Sequence, residues 1–264
     1  MTYERLYKKI FRISCNLWKW FPYIEMRALN HEEVSMEDTA IVDLYWQRSD
    51  QAISETDRKY GKIITHFPRA LTHPKRNRET ELGNLFADIF TESLGVDLML
   101  IGSGSIRKPE MGPVVKLGDI KVIFPFEDEI MGFTWTGQQL KRAFAFIMRD
   151  HMFSDETEFY QVPKALKLTY DYKTRTFTEF TVNGKPVADD DTFSMALQIF
   201  HYSNMDDFFG ITQEETRANG EPKVLASSDY SILEEYLMLH THLQRSVEGM
   251  LKVLNGPNNY PDDI

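Results

Sequence analysis

The chain has 264 residues and is 42% hydrophobic, so it is long enough to bury a sizeable core in about one to one and a half ordinary domains. Its 30 lysine and arginine residues against 40 acidic residues give a formal charge of −10, which opposes binding to a polyanionic nucleic-acid backbone. The single cysteine, Cys15, excludes an intrachain disulfide and a thiolate zinc site.

The first 60 residues predict elements that precede the main domain. Trp18 and Trp20 lie in an alternating pattern typical of a short strand, and two tryptophans need a surface to pack on. That surface is either the following domain or the remainder of another domain. Residues 28–43 are polar and acidic, which is typical of a linker, and residues 40–60 predict a solvent-exposed helix.

The N-terminus has no pattern of an export or membrane signal. Residues 1–19 contain scattered basic side chains and no unbroken apolar run of signal-peptide length. No stretch of the chain approaches the ~20 apolar residues that a membrane span needs. The chain as written is therefore expected to be cytoplasmic and to bind no membrane.

Two arginines, Arg76 and Arg78, lead into a helix with a strong apolar pattern. Its apolar residues recur at helical spacing and predict one buried face: Leu82, Leu85, Phe86, Ile89, Phe90 and Leu94. Glu79 and Glu81 lie where this helix begins and suit the positive end of its dipole. Guanidinium groups beside a helix start are available to a small anion, although a structural ion pair is the simpler explanation for Arg78.

A loop of small residues follows the next predicted strand. Residues 96–101 predict an apolar strand that leads into the glycine and serine residues at 102–105, and Arg107 comes just after them. Small residues let backbone N–H groups approach a ligand closely. Taken alone, such a turn is more often only a tight connection.

The C-terminal half predicts an antiparallel sheet and helices. The predicted elements are a short helix or turn at residues 116–120, a strand end at 122–126, a strand at 129–135, a capping-box helix from Thr136, and strands at 166–172, 176–182 and near 192–198. Asn183 and Gly184 are typical of a type I′ hairpin turn.

The last predicted elements are a loop and helices. Residues 203–210 predict a polar loop that carries Phe208 and Phe209. A capping-box pattern at Ser231 predicts the start of a helix, and a further helical stretch is predicted to reach Leu254.

Two short histidine patterns imitate parts of a dinuclear metal centre. Such centres in phosphoesterases need about six to eight ligands, usually beginning with an Asp-x-His pair. The Asn30-His31 pair lies in the predicted linker with no such pair before it. His240 and His242 lie on a predicted helix, where residues two apart point to different sides. We therefore predict no metal ligands and no catalytic residues in this chain.

Three blocks of sequence resemble the C-terminal domain of the 5′-nucleotidase family. They are RNRETELGNLFAD at residues 76–88, the loop ending in Ile106 and Arg107, and Phe-Pro-Phe at residues 124–126, and they occur in the family's order over roughly residues 60–236. The resemblance implies an α+β fold with mixed or antiparallel sheet layers covered by helices. It also implies that two divalent metal ions belong to a separate N-terminal metallophosphatase domain.

The resemblance assigns four substrate-binding residues. Phe126 and Phe208 would stack on the two faces of a nucleobase, with Phe209 as the alternative to Phe208, and Arg76 and Arg107 would reach the ribose and the ester phosphate. The chain departs from the family where an asparagine that contacts the base is replaced in the loop at 102–107. The family's ribose-binding acid falls near residues 213 and 214, without a firm assignment.

The resemblance also implies a division of the chain and a function. Residues 1–39 are expected to be a remnant of a metallophosphatase domain and a linker, residues 40–60 a connecting helix, and residues 61–264 a 5′-nucleotidase C-terminal-like domain. We expect this domain to bind a nucleoside or nucleoside 5′-monophosphate and no nucleic acid.

Two accounts of the chain's role remain open. In the first, hydrolysis requires a metallophosphatase domain, supplied for example by a separate chain, because this chain is truncated. In the second, the chain is a stand-alone nucleotide-binding or protein-interaction module without catalysis. The expected cytoplasmic location also differs from the family, whose members are often periplasmic or at the cell surface.

Overall fold

The computed structural model describes residues 36–153 and 158–257, and the chain divides into two units, Met1–Thr56 and Asp57–Ile264. The predicted strand around Trp18 and Trp20 lies outside the described residues. Helix α1 spans Met36–Trp46, and helix α2 spans Gln51–Tyr60.

The single helix predicted over residues 40–60 is in fact two helices. Arg48 lies between them with a left-handed φ of 54°, and the Ser49 hydroxyl accepts a hydrogen bond from the Gln51 N–H at 3.3 Å. A serine hydroxyl in this position caps the following helix and so competes with continuation of the preceding one. Helix α1 also begins inside the predicted linker, because the acidic residues that suggested a linker equally suit the first turn of a helix.

The second unit alternates short strands with helices. Its strands are β1 (Ile63–His66), β2 (Leu71–Thr72), β3 (Leu98–Met99), β4 (Ile101–Gly102), β5 (Glu110–Met111), β6 (Val114–Lys116), β7 (Ile130–Thr136), β8 (Tyr160–Gln161), β9 (Leu166–Asp171), β10 (Thr176–Val182), β11 (Lys185–Pro186), β12 (Thr192–Gln198), β13 (Lys223–Ala226) and β14 (Leu251–Leu254). Its helices are α3 (Glu81–Leu94), α4 (Leu117–Ile123), α5 (Gly137–Ile147), α6 (Asp150–Phe153), α7 (Ile199–Ser203), α8 (Met205–Phe209), α9 (Gln213–Arg217) and α10 (Asp229–Leu239). Within the described ranges, no helix combines the length and the apolar character needed to cross a bilayer.

A four-stranded sheet of order β13-β7-β12-β3 separates two hydrophobic cores. Strand β7 is antiparallel to β12 and β13, and β12 is parallel to β3. Because side chains alternate along a strand, Met195 and Leu197 enter one core while Ala196 enters the other. Residues of α3 and α10 line the core of Ala196, and residues of α5 and of a second sheet, β11-β10-β9-β14, line the other. The predicted α+β class with mixed sheets covered by helices is confirmed.

Several elements form where their local sequence signals predict them. Helix α3 buries the predicted apolar stripe, and Thr136 and Gln139 form the predicted capping box at the start of α5. Asn183 and Gly184 have φ values of 51° and 73° between β10 and β11. Positive φ at both central residues is what a type I′ turn requires.

Two segments are helical where a strand and a loop were predicted. Helix α4 continues to Ile123, so the strand end predicted at residues 122–126 is wrong; Ile120 and Ile123 are both buried at helical spacing. The loop predicted at residues 203–210 contains helix α8. Met205 and Phe209, four residues apart, both enter the core there, and this shared helical face outweighs the polar composition of the segment.

Helix α10 begins and ends earlier than predicted. The hydroxyl of Ser228 accepts a hydrogen bond from the Ser231 N–H at 3.3 Å, so the cap is Ser228 and not Ser231. The helix ends at Leu239, and His240 and His242 therefore lie beyond it instead of on it.

The last regular element of the described residues is a strand, so the helical stretch predicted to reach Leu254 is wrong. Strand β14 pairs in parallel with β9 at the edge of the second sheet. Leu251 and Val253 are buried while Lys252 between them is exposed, a period-two pattern that is typical of a strand. Four residues are too few for that period to be recognised without its pairing partner.

Candidate functional site

Strand β8 holds the two-arginine segment and the small-residue loop (residues 102–107) together through Gln161. The Gln161 side chain is fully buried, and its oxygen accepts a hydrogen bond from the Thr80 N–H at 3.0 Å. Its nitrogen donates to the Arg78 carbonyl at 2.8 Å and to the Ser103 hydroxyl at 2.6 Å. One amide side chain therefore fixes the start of α3 against the loop.

His73 makes a second connection between the same segments. Its Nε2 lies 3.2 Å from the Ser103 carbonyl and its Nδ1 2.8 Å from the Thr80 hydroxyl. Because a carbonyl only accepts, Nε2 carries the proton and Nδ1 accepts from Thr80, whose oxygen also caps α3 by accepting from the Gly83 N–H. Burial lowers the pKa of His73 from 6.5 to about 4, and the charge of Arg76 lowers this pKa further. The imidazole is therefore neutral at pH 7.

Arg76 lies against the loop and faces a carboxylate that sequence analysis did not identify. Its Nη2 atom is 3.6 Å from Oε2 of Glu158, whose other oxygen accepts a hydrogen bond from the Gly104 N–H at 2.5 Å. A Cβ atom at Gly104 would lie 1.9 Å from the Arg76 guanidinium, so only glycine permits this approach. Burial raises the pKa of Glu158, while the charges of Arg76 and Arg107 oppose that rise.

Arg107 lies over an exposed aromatic ring. Its guanidinium carbon is 4.8 Å from the centroid of the Phe126 ring, a cation–π distance, and Phe126 is 41% exposed. The Arg107 N–H donates to the Ile123 carbonyl at 2.8 Å, which anchors the loop to the end of α4. The two predicted ligand residues are thus adjacent, and one face of the phenyl ring is covered by a cation.

The two candidate phenylalanines on α8 differ in burial. Phe209 is fully buried and packs on Trp135 and Tyr160, at ring-centroid distances of 5.4 and 4.5 Å. Phe208 is only partly buried, and its ring lies 5.1 Å from the ring of His201 and 5.8 Å from that of Phe200. A fully buried ring offers no face to a ligand, so Phe208 is the one of the pair that can stack.

His201 connects Phe208 to the small-residue loop. Its Nδ1 lies 2.8 Å from the Tyr160 hydroxyl, and a Cβ atom added to Gly102 would be 2.5 Å from its Nε2. Burial lowers the pKa of His201 from 6.5 to about 3, so the ring is neutral. The close approach of Gly102 means that the imidazole packs directly on the loop backbone.

A chain of buried polar side chains also supports the loop. The Ser105 hydroxyl donates to the Gln198 oxygen at 2.8 Å, and the Gln198 nitrogen donates to Oδ2 of Asp229 at 2.7 Å. Burial, reinforced by the charge of Asp128, raises the pKa of Asp229 from 3.8 to about 7. The Asp229 N–H also donates to the Asp128 carbonyl at 2.9 Å, so this chain reaches the segment that follows Phe126.

A series of contacts therefore links each of the four predicted site residues to one loop. Arg76 and Arg107 both act on Glu158, Arg107 contacts Phe126, and Phe208 reaches the loop through His201. Sequence reasoning missed residues that hold the arrangement together: Glu158, Gln161 and His201, and also His73, Gln198 and Asp229. Glutamate and glutamine are mostly surface residues and histidine is intermediate, so residue type does not predict these buried or partly buried positions, and only the tertiary partners reveal them.

Among residues 36–153 and 158–257, no three histidine, cysteine, aspartate or glutamate side chains are grouped to hold a metal ion. The Asn30-His31 pattern lies outside these ranges. A ring nitrogen of His240 donates to the Tyr236 carbonyl at 2.8 Å, and His242 is exposed with a left-handed φ of 58°. The described residues therefore do not fit a dinuclear centre, which the family resemblance expects in a separate metallophosphatase domain.

A cavity of about 480 Å³ lies between residues 68–71 and 243–248, and none of the predicted site residues lines it. Its two arginines are already paired, Arg69 with Glu81 and Arg245 with Asp88. We assign the site by the chemistry of the loop and not by this cavity, because its cations are neutralised and its lining carries no exposed aromatic ring.

Comparison with known proteins identifies relatives of the second unit. A family model described as "5'-nucleotidase, C-terminal domain" matches residues 59–213. No curated protein matches the sequence.

Solved structures share the fold at low sequence identity. A 5′-nucleotidase precursor from Thermus thermophilus is 18% identical with a TM-score of 0.64, over 83% of this chain and 44% of its own. The NAD nucleotidase of Haemophilus influenzae is 14% identical with a TM-score of 0.60, over 77% and 40%. A sulfate thiohydrolase from Thermus thermophilus is 15% identical with a TM-score of 0.58, over 83% and 40%. The chain thus spans less than half the length of these proteins.

Proposed function

Because the chain belongs to the 5′-nucleotidase C-terminal domain family, we propose that it binds nucleosides and nucleoside 5′-monophosphates at the small-residue loop. The observation that carries this proposal is the cluster formed by Phe126, Arg107 and Arg76 around that loop. An exposed phenyl ring offers a stacking face to any nucleobase, and guanidinium groups bind hydroxyl and phosphate oxygens. Phe208 is proposed as the second stacking ring.

The residues of this domain would act on a nucleotide by binding and orienting it. Arg107 is held over Phe126, so a base that stacks on the outer face of that ring lies next to a fixed positive charge. The Ser105–Gln198–Asp229 chain restricts movement of the loop beneath the ligand. Such preorganisation lowers the ordering entropy that a flexible site would lose on binding.

We also propose that residues 61–264 are the substrate-binding domain of a 5′-nucleotidase-type phosphomonoesterase in nucleotide catabolism. The metal ions that would activate water for attack on the phosphate are proposed to belong to a metallophosphatase domain or chain. Two of the similar solved structures are nucleotidases, and each is more than twice as long as the part of it that this chain matches. A stand-alone binding or protein-interaction module is the competing account.

The first test is binding. A panel of four ribonucleosides and their 5′-monophosphates is titrated by calorimetry, and Phe126→Ala is expected to weaken the tightest ligand about 5- to 150-fold, the equivalent of about 1–3 kcal/mol for one stacked base. Leu239→Ala is the matched control, because this 71%-exposed residue lies ten residues along α10 from Asp229, roughly 15 Å. Equal affinities for wild type and Phe126→Ala would contradict the stacking role, and absence of binding to the whole panel would favour an interaction module.

The second test is hydrolysis by the chain alone. With Mn²⁺ or Zn²⁺ and nucleoside 5′-monophosphates, phosphate release is expected to stay at the level of protein-free buffer. The reason is that the sequence contains no Asp-x-His pair and the described residues form no ligand cluster. Turnover that co-purifies with the protein and is abolished by a chelator would show that this account of the metal centre is wrong.

A further inference from the structure

The Arg76 end of the proposed site presents a guanidinium and a carboxylate side by side. Glu158 is 18% exposed at its side chain and Arg76 49% exposed, so both can be reached from solvent. A second positive charge, that of Arg107, acts on the same carboxylate. Among the described residues, these interactions join two cationic side chains to one carboxylate, in contrast to an all-cationic phosphate site.

Within the described residues, Glu158 accepts fewer hydrogen bonds than a carboxylate can accept. Its Oε1 accepts from Gly104 and its Oε2 faces Arg76, whereas an ionised carboxylate can accept about four hydrogen bonds. Arg76 carries five N–H donors. The pair can thus offer acceptors and donors to the same ligand.

A guanidinium beside a carboxylate fits a vicinal diol better than it fits a phosphate. Each hydroxyl of a diol donates one hydrogen bond and accepts others, so it can donate to Glu158 while it accepts from Arg76. A phosphate dianion only accepts, and it would place two negative charges beside a partly buried carboxylate. Like charges in such a setting repel strongly because solvent screening is reduced.

We propose that Glu158 is a specificity-determining residue that makes the Arg76 end of the site bind the 2′,3′-diol of a ribose and exclude phosphate. This inference rests on the proposed nucleoside-binding function and adds a residue to it. The two positions nearest the expected ribose-binding acid do not supply a comparable carboxylate: Gln213 is an amide that donates to the Ser203 carbonyl at 3.2 Å, and Glu214 is exposed on α9. Glu158 provides the acid from a different element, ahead of β8.

The test compares diol and phosphate selectivity in wild type and in Glu158→Gln. The probes are the tightest-binding ribonucleoside of the panel, its 2′,3′-dideoxy analogue and its 5′-monophosphate, titrated by calorimetry at pH 7.5. For wild type we expect the dideoxy analogue to bind roughly tenfold or more weakly than the ribonucleoside, since it lacks the hydroxyls that would form hydrogen bonds with Arg76 and Glu158. For Glu158→Gln we expect that ratio to fall below about threefold. A fourth probe, the 5′-monophosphate of the dideoxy analogue, has no diol contact to lose and should bind the variant roughly tenfold more tightly than it binds wild type.

Two further variants separate this role from a general charge effect and from misfolding. Glu127→Gln removes one negative charge next to Phe126, from a side chain that pairs with Lys121, and should leave the diol ratio unchanged. Glu158→Asp keeps the charge but shortens the side chain, so it should weaken the diol contact while still excluding phosphate.

The outcomes distinguish the inference from the function on which it rests. If wild type binds ribonucleosides but does not discriminate against the dideoxy analogue, or if Glu158→Gln retains the wild-type ratio, the inference is wrong and the binding function stands. If wild type binds no member of the panel, the proposed function itself is wrong, and the inference falls with it. A folded Glu158→Gln variant with wild-type phosphate affinity would likewise contradict the exclusion of phosphate.

Discussion

Replacement of Gln161 by alanine is expected to lower the free energy of unfolding by about 3–5 kcal/mol, because the buried partners of this side chain would be left without hydrogen bonds. The substitution removes the acceptor of the Thr80 N–H and the donor to the Ser103 hydroxyl, both of which are buried. It also removes the donor to the Arg78 carbonyl. Urea unfolding of wild type and variant measures the difference.

Gln138→Ala is the matched control for this experiment. Gln138 is exposed on α5, and its replacement should change the free energy of unfolding by less than about 0.5 kcal/mol. A loss below about 1 kcal/mol in Gln161→Ala would show that water or rearrangement replaces its hydrogen bonds. In that case Gln161 would not be the residue that fixes the loop to the start of α3.

Gly83 provides an internal check on the same contact. A Cβ atom at Gly83 would lie 2.4 Å from the Gln161 side chain, so Gly83→Ala should destabilise wild type. In a Gln161→Ala background the obstruction is gone, and alanine should instead stabilise α3 by up to about 1 kcal/mol through its higher helix propensity. A change of sign between the two backgrounds would identify Gln161 as the obstructing group.

Acidification from pH 7.5 to 5 is expected to cost wild type about 4 kcal/mol of folding free energy through two buried histidines, His73 and His201. Their pKa values are lowered to about 4 and about 3, against 6.5 in the unfolded chain. The unfolded chain therefore binds more protons below pH 6.5, so the stability present above that pH is lost as the pH falls towards the folded pKa values. Each histidine contributes about 2 kcal/mol at pH 5 by this linkage.

The quantity to measure is the difference in the pH dependence of stability between wild type and a variant that lacks both histidines. A difference is needed because the titration of Asp229 changes the stability of both proteins in the opposite direction. Its pKa is raised to about 7, so its contribution to stability is greatest at low pH and is lost as the pH rises through 7. The double variant His73→Gln/His201→Gln should be less stable than wild type at pH 7.5, yet its stability should depend on pH less steeply, by about 4 kcal/mol between pH 7.5 and 5. Gln138→Ala, which replaces an exposed side chain that does not titrate, should leave the wild-type profile unchanged. Parallel profiles for wild type and the double variant would contradict neutral burial of the two rings.

Local signals were the predictable part of the fold. The apolar stripe of α3, the capping box at Thr136 and the Asn183-Gly184 turn each depend on residues within a few positions of one another, and each forms as expected. Where a short segment is compatible with two types of secondary structure, the prediction from sequence was wrong. Helix α8 and strand β14 were mistaken because they are only five and four residues long, and their identity depends on the core and on β9.

The candidate site was predictable only as a set of residue types. Arg76, Arg107, Phe126 and Phe208 follow from motifs, but a motif does not reveal burial, and burial is what distinguishes Phe208 from Phe209. Glu158, Gln161 and His201 lie in no recognisable pattern, since their partners are distant in sequence; Gln161, for example, is 81 residues from Thr80.

The amino-acid sequence by itself determined the family, the α+β class and the residue types available to a nucleotide, because these depend on local periodicity and on ordered motifs. Only the tertiary structure decided which aromatic ring is accessible, which carboxylate faces Arg76 and which histidines are neutral. Accessibility and pKa depend on desolvation and on charges brought together by long-range packing, and neither is encoded in the spacing of neighbouring residues.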